Sequence, residues 1–137
     1  EKVLAHLSEV GCESAEANAT SSSNNLYLTG HSMGSAVSNL AMFMLEKRGY
    51  KVQLSFNFES PRVGDAVYAE SFKARFGRKI PVYRITHAMD PVVHVPTPWM
   101  GYRHVVYEIF YNKLGEYRIC NGPEDPNCSD QYSLEEA

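Results

Sequence analysis

The feature that most restricts the possible folds is a serine between two glycines, placed where a strand pattern gives way to a helix pattern. Residues 30–34, with the letters GHSMG, fit the pattern G-x-S-x-G. The preceding residues 26–29 are typical of a short buried strand, and residues 33–48 carry apolar side chains at helical spacing. A tight bend of this kind, whose glycines remove side chains that would clash, presents the serine hydroxyl at a sheet edge, so Ser32 is a candidate nucleophile. The backbone N–H of Met33 would then face a developing oxyanion.

Strand and helix patterns alternate along the whole chain. The predicted strands are residues 26–29, 52–58, 80–86, 104–111 and 116–120. The predicted helices are residues 1–10, 33–48 and 65–76. This alternation predicts an α/β fold whose first strands are parallel and whose last two form an antiparallel hairpin. The length of 137 residues suits one domain.

The C-terminal ends of parallel strands meet at one edge of a sheet, and we expect the functional residues there. A serine becomes a strong nucleophile when a base takes its proton and an acid orients that base. Asp90 follows the strand 80–86 and precedes a proline, so it is the candidate acid, although an aspartate before proline also commonly forms a turn. Asp65 is the rival acid, but its place at a helix start favours capping. For Ser32, the alternative role is likewise a simple helix cap.

Composition and charge exclude several classes of protein. The chain has 13 basic and 16 acidic residues, a net charge of −3 and no basic run, which argues against nucleic-acid binding. Its longest apolar run, residues 40–45, is far shorter than the ~20 residues of a transmembrane helix. The first residues do not form a signal peptide. The histidine and cysteine spacings fit no metal site, and we expect neither a metal nor a cofactor.

The cysteines and two glycosylation sequons bear on the cellular compartment. Cys120 and Cys128 bracket a turn-rich loop, and they either close as a disulfide in an oxidising compartment or remain buried thiols. Cys12 is left over. Sequons at Asn18 and Asn127 favour the oxidising alternative. The sequence therefore favours a secreted glycoprotein.

Four ordered segments resemble the class 3 lipases, a family of fungal triacylglycerol lipases with the α/β-hydrolase fold. These segments are residues 28–36, 59–65, 84–96 and 101–104. Together with the strand and cysteine spacing, the resemblance covers nearly all of residues 1–137. It implies a partial α/β-hydrolase fold, with a mostly parallel central sheet, flanking helices and a C-terminal antiparallel hairpin.

The resemblance also implies roles for particular residues. Ser32 corresponds to the nucleophile, Asp90 to the triad acid and the Met33 N–H to one oxyanion donor. The segment from Cys120 to Cys128 resembles a loop that a disulfide closes in the family. The family commonly has leucine at the position of Met33, asparagine at that of Asp65 and glycine at that of Ser35. Serine in place of that glycine adds a side chain at the point where the helix and the strand cross closely.

The general base is not evident within the chain. His104 follows Asp90 in the required order, but the family has a histidine at this spacing that is not the base. The family's catalytic histidine comes later, after the disulfide loop and a further helix. Here residues 133–136 have the S-x-x-E pattern of a capping box, which predicts that helix, and the chain stops at Ala137. We therefore expect residues 1–137 to be part of a single domain, truncated at both ends and inactive alone.

Five further residues surround the expected site. We expect His31 to pack within the bend, and His87 and His94 to stabilise the loop of Asp90. Trp99 and Met100 either line an acyl pocket or lipid-facing rim or are buried beneath the long loop.

These observations predict a serine carboxylic-ester hydrolase, most plainly an acylglycerol lipase that works through an acyl-enzyme at a lipid–water interface. A feruloyl-type or other small-ester esterase has the same fold with a different pocket. A non-catalytic lipid-binding relative is the alternative of another class.

Overall fold

The computed structural model describes residues 1–12, 14, 25–77 and 79–136. Its helices are α1 (Lys2–Glu9), α2 (Met33–Lys47) and α3 (Ala66–Arg75). Its strands are β1 (Asn25–His31), β2 (Lys51–Phe58), β3 (Gly64–Asp65), β4 (Val82–His87), β5 (Tyr102–Arg103), β6 (Tyr107–Tyr111) and β7 (Tyr117–Ile119). Three short 3₁₀ helices cover Pro91–His94, Pro98–Met100 and Ser129–Gln131.

The central sheet has five strands in the order β1-β2-β4-β6-β7. The first four are parallel and β7 pairs antiparallel with β6, which confirms the predicted fold class. His31 is paired with Phe58 in this register, Phe58 with Ile85, and His87 with Tyr111. The C-terminal ends of these parallel strands therefore lie side by side at one edge.

Several element boundaries differ from the sequence prediction by one to three residues; β4, for example, begins at Val82 instead of residue 80. The strand expected from residue 104 begins only at Tyr107, because Val106 has a φ of 47°, which breaks the extended conformation. The strands β3 and β5 form a separate antiparallel pair that is not among the predicted strands, and Asp65 of β3 lies at the predicted start of a helix. Two-residue strands have no periodicity, so only the pairing of distant residues defines them.

The hydrophobic core lies between the helices and one face of the sheet. Met42 of α2 and Phe72 of α3 are fully buried, and they cluster with the buried Val52 and Val82 of β2 and β4. The Phe43 ring contacts Phe72 edge-on, with 5.6 Å between ring centroids. The core thus anchors α2, whose first turn positions the bend at Ser32.

The C-terminal segment is joined to the sheet by a disulfide between Cys120 and Cys128, the pairing that the resemblance implied. Cys12 is a free thiol. Asn127 is exposed, whereas the sequon at Asn18 lies outside the described residues. Across the described part of the chain, no helix combines the length and apolar character needed to cross a bilayer.

Candidate active site

Ser32 occupies the bend between β1 and α2 in a strained backbone conformation. Its φ is 56° and its ψ is −128°, a region that residues other than glycine rarely adopt. The Ser32 N–H donates a hydrogen bond of 2.9 Å to the Phe58 carbonyl at the end of β2. The serine is half-buried. Because Met33 is the first residue of α2, its N–H has no carbonyl partner within the helix.

The two glycines of the bend meet different steric demands. A Cβ on Gly30 would lie 2.4 Å from the backbone carbon and oxygen of Gly34, so the first turn of α2 packs directly on this residue. A Cβ on Gly34 would meet nothing within 4 Å. The steric reason for glycine therefore holds for Gly30 and is wrong for Gly34 in the described structure.

Ser35 connects the bend to both neighbouring strands. Its Oγ is 2.6 Å from the Gly30 carbonyl and 2.8 Å from the Phe58 carbonyl, and the side chain is fully buried. The hydroxyl lies at the helix–strand crossing, and its single proton is shared between these two acceptors. The Ser35 side chain therefore links the bend to β1 and β2.

Three adjacent parallel strands end in the same backbone turn. Ser32, Glu59 and Ala88 directly follow β1, β2 and β4, and all three have a positive φ, of 56°, 46° and 50°. Each also donates its N–H to the next strand in the sheet, to Phe58, Ile85 and Tyr111 respectively. This repeated turn aligns the first residue after each strand along one edge, a regularity that the sequence did not reveal.

Asp90 lies at the same edge, just past β4. Its Oδ1 accepts a 2.7 Å hydrogen bond from the Val92 N–H, so the side chain also forms the turn expected of an aspartate before proline. Ser32 follows β1 and Asp90 follows β4, and the single strand β2 lies between these two strands. Asp65, the rival acid, is exposed and caps α3 by accepting a 2.8 Å hydrogen bond from the Tyr68 N–H. The capping interpretation of Asp65 is confirmed.

The histidines differ in their surroundings. His104 is buried, with Nε2 2.8 Å from the Val93 carbonyl, and burial followed by the positive charges of Arg84 and Arg62 holds its pKa well below its ordinary value. The contact with the Val93 carbonyl engages this ring inside the protein.

Of the other three histidines considered for the site, one is buried and two are exposed. His94 is buried, and its Nε2 has no hydrogen-bond partner among the described residues. His87 is exposed, and so is His31, which was expected to pack within the bend. Trp99 and Met100 are 84% and 55% exposed, so the alternative in which they are buried beneath the loop is wrong.

Arg62 connects the loop after Asp90 to the C-terminal segment. Its guanidinium donates to both oxygens of Glu124 at 3.1 and 2.8 Å, and to the His94 carbonyl at 2.7 Å. Burial raises the pKa of Glu124, but hydrogen bonds from Arg62 and from the His104 N–H outweigh it and leave the pKa below its usual value. This ion pair holds the site loop in place.

Glu59 is a charged residue of this edge that the sequence interpretation did not single out. Burial, followed by the nearby charge of Asp90, raises the pKa of the Glu59 carboxyl to about 7. The only sequence feature that could have identified Glu59 is its place at the end of a strand with alternating apolar and polar residues, next to Ser60 and Pro61. Many exposed glutamates occupy such positions, so the pattern alone does not distinguish this one.

Comparisons with known proteins agree on one family. The family described as Lipase (class 3) matches residues 7–100. A secreted mono- and diacylglycerol lipase of Fusarium solani is 33% identical over 110 residues, which cover 74% of this chain and 32% of that protein. Another, from Penicillium cyclopium, is 40% identical over 80 residues, covering 58% and 25%.

The same likeness holds among solved structures. Lipase II from Rhizopus niveus superimposes with a TM-score of 0.70 at 27% identity, covering 89% of this chain and 48% of that one. The chain thus spans about half the length of this solved structure and about a third or less of the two curated relatives.

Proposed function

Because the chain belongs to the class 3 lipase family, we propose that it is part of a secreted serine carboxylic-ester hydrolase that acts on acylglycerols. The observation that carries the proposal is the strained backbone of Ser32 at the sheet edge. A residue held at φ 56° and ψ −128° costs ~1–3 kcal/mol, which is retained most readily where the conformation serves a function. The relatives named as secreted mono- and diacylglycerol lipases support the substrate class and the compartment.

The reaction follows the acyl-enzyme route. The Ser32 hydroxyl attacks the ester carbonyl while a histidine takes its proton, and the Met33 N–H stabilises the oxyanion. The histidine then protonates the leaving alcohol, and water releases the fatty acid from Ser32. Asp90 orients the histidine and stabilises its positive charge.

The general base in this proposal is a histidine other than the five in the chain. The contact between His104 Nε2 and the Val93 carbonyl supports this assignment, since that ring is engaged inside the protein. We take residues 1–137 as part of one longer domain, which the partial coverage of the relatives supports. The exposed Trp99 and Met100 fit a rim that contacts lipid.

A fluorophosphonate probe and soluble esters test the proposal in the full-length protein. The probe should label Ser32, and Ser32→Ala should lower kcat by at least ~1,000-fold, since the covalent route is lost. Ser71→Ala, which changes an exposed serine on α3, should leave kcat unchanged. An active, unlabelled Ser32→Ala protein would contradict the proposal, and absence of both turnover and labelling in the wild type would favour a non-catalytic relative.

Two further measurements distinguish the substrate class and the identity of the general base. A kcat/KM that is much higher for acylglycerols than for feruloyl esters would support the lipase over the esterase alternative. The 137-residue chain alone is expected to be inactive. Normal turnover by that chain, abolished by His104→Ala, would restore His104 as the base.

A further inference from the structure

Glu59 occupies the turn that lies between those of Ser32 and Ala88. It has a φ of 46°, a conformation that glycine adopts without cost and that glutamate rarely adopts. Its N–H is fixed by a 2.8 Å hydrogen bond to the Ile85 carbonyl, while Ser32 is bonded to the residue just before it, Phe58. The backbone therefore holds a carboxyl-bearing residue next to the proposed nucleophile.

The Glu59 side chain is half-buried, and no described residue forms an ion pair with its carboxyl group. Its Oε2 is buried and has no hydrogen-bond partner among the described residues. The charges that face it are the carboxylate of Asp90 in the loop after β4, the guanidinium of Arg84 on β4 and the carboxylate of Glu108 on β6. Arg84 already donates a 2.8 Å hydrogen bond to Glu108, so its positive charge is shared. Asp90 is thus the principal charge acting on Glu59.

We propose that Glu59 is a positioning residue of the site, acting through Asp90 as a second carboxyl group that adjusts the negative charge presented to the general base. The inference rests on the proposed function, in which Asp90 orients a histidine. The buried Oε2, which has no hydrogen-bond partner among the described residues, and the turn beside Ser32 carry it. The backbone N–H of His87 stabilises the carboxyl group but leaves this oxygen unsatisfied, and a buried polar atom without a partner is otherwise costly.

The expected consequence is a dependence of activity on pH. With a pKa raised to about 7 by burial and by Asp90, the Glu59 carboxyl is neutral at lower pH and ionised at higher pH. Once ionised, it adds a negative charge beside Asp90 and favours the protonated form of the histidine. The titrations of Glu59 and the histidine are coupled. Ionised Glu59 therefore raises the apparent pKa of the acid limb, the part of the pH profile in which kcat/KM falls as the pH is lowered.

The test compares kcat/KM of the full-length protein on a soluble short-chain ester from pH 5 to 9. In Glu59→Gln the acid limb should move to lower pH by about 0.5 unit or more, because one negative charge is lost. Glu59→Gly should give the same shift while relieving the positive φ, which separates charge from backbone strain. Glu70→Gln, an exposed glutamate of α3, should leave the profile unchanged.

A second measurement needs no Glu59 variant. In a carboxyl NMR titration, the pKa of Glu59 should fall in Asp90→Asn relative to wild type, because a neighbouring negative charge is removed. An unchanged pKa would overturn the inference. Coincident profiles of Glu59→Gln, Glu70→Gln and wild type would overturn it too, provided that Ser32→Ala is inactive. Wild-type activity in Ser32→Ala would instead contradict the proposed function itself.

Discussion

At the scale of single residues, close backbone contacts determine which side chains the bend tolerates. The strained Ser32 is held by its N–H bond to Phe58 and by the first turn of α2, which packs against Gly30. Ser35 adds a buried hydroxyl whose single proton is shared between the carbonyls on either side. The bend therefore depends on one glycine with no room for a Cβ and on one serine that fills the crossing.

Gly30→Ala and Gly34→Ala form a matched pair of substitutions. In Gly30→Ala the added Cβ would collide with backbone that cannot move away, so we expect a loss of several kcal/mol in unfolding free energy, roughly the scale of overpacking or more. In Gly34→Ala the added Cβ meets open space within a helix, where alanine is favoured over glycine by ~1 kcal/mol. Urea unfolding measures the difference, and equal stability of the two variants would contradict this account.

At the scale of elements, local side-chain signals define where helices begin. The Asp65 carboxylate satisfies the Tyr68 N–H at the start of α3, as predicted. Only half of the predicted capping box forms at Ser133: its N–H donates a 2.8 Å hydrogen bond to Glu136 Oε2, but its hydroxyl donates to the same carboxylate, and residues 134–136 form only a turn. A cap thus specifies a helix start locally, while the length of the helix depends on what it packs against.

Asp65→Ala should therefore lower the unfolding free energy by about 1 kcal/mol, because the Tyr68 N–H loses its acceptor. Asp65→Asn keeps an acceptor oxygen and should remain within a few tenths of a kcal/mol of wild type. Thermal or urea unfolding measures the difference. A loss that is equal in both variants would show that the charge, and not the cap, matters at this position.

At the scale of the whole molecule, buried ion pairs join segments that are far apart in the sequence. The Arg62 side chain is 1% exposed and bonds Glu124, 62 residues later, together with carbonyls of the site loop. Arg84 and Glu108 form a second buried pair between β4 and β6. Such pairs restrict the alternative arrangements of the loops, because an unpaired buried charge is costly.

Arg62→Met should lower the unfolding free energy by about 2 kcal/mol or more, since it leaves the half-buried Glu124 without its partner. The matched control is Arg75→Met, which removes an exposed ion pair with Glu46 and should cost about 0–1 kcal/mol. Urea unfolding of the two variants checks the ranking. Equal losses would mean that the Arg62 pair contributes no more than a surface contact.

Local pattern determined much of this protein. Apolar periodicity predicted α2, α3 and the parallel strands, and G-x-S-x-G between a strand and a helix located Ser32 in its bend. These features depend on neighbours within a few residues, which the sequence displays directly. The meeting of the parallel strand ends at one edge followed from the alternation of strands and helices.

Tertiary structure alone decided the features that depend on distant residues. The pairing of β3 with β5, the Arg62 ion pair and the burial of Glu59 Oε2 arise from contacts between remote segments. The open space at Gly34 exists because no described segment packs against it. A glutamate after a strand looks the same in the sequence whether water or another carboxylate surrounds it. Only the packing of β2 between β1 and β4 brings Glu59 next to Ser32 and Asp90, because strand neighbours are set by the fold and not by adjacency in the chain.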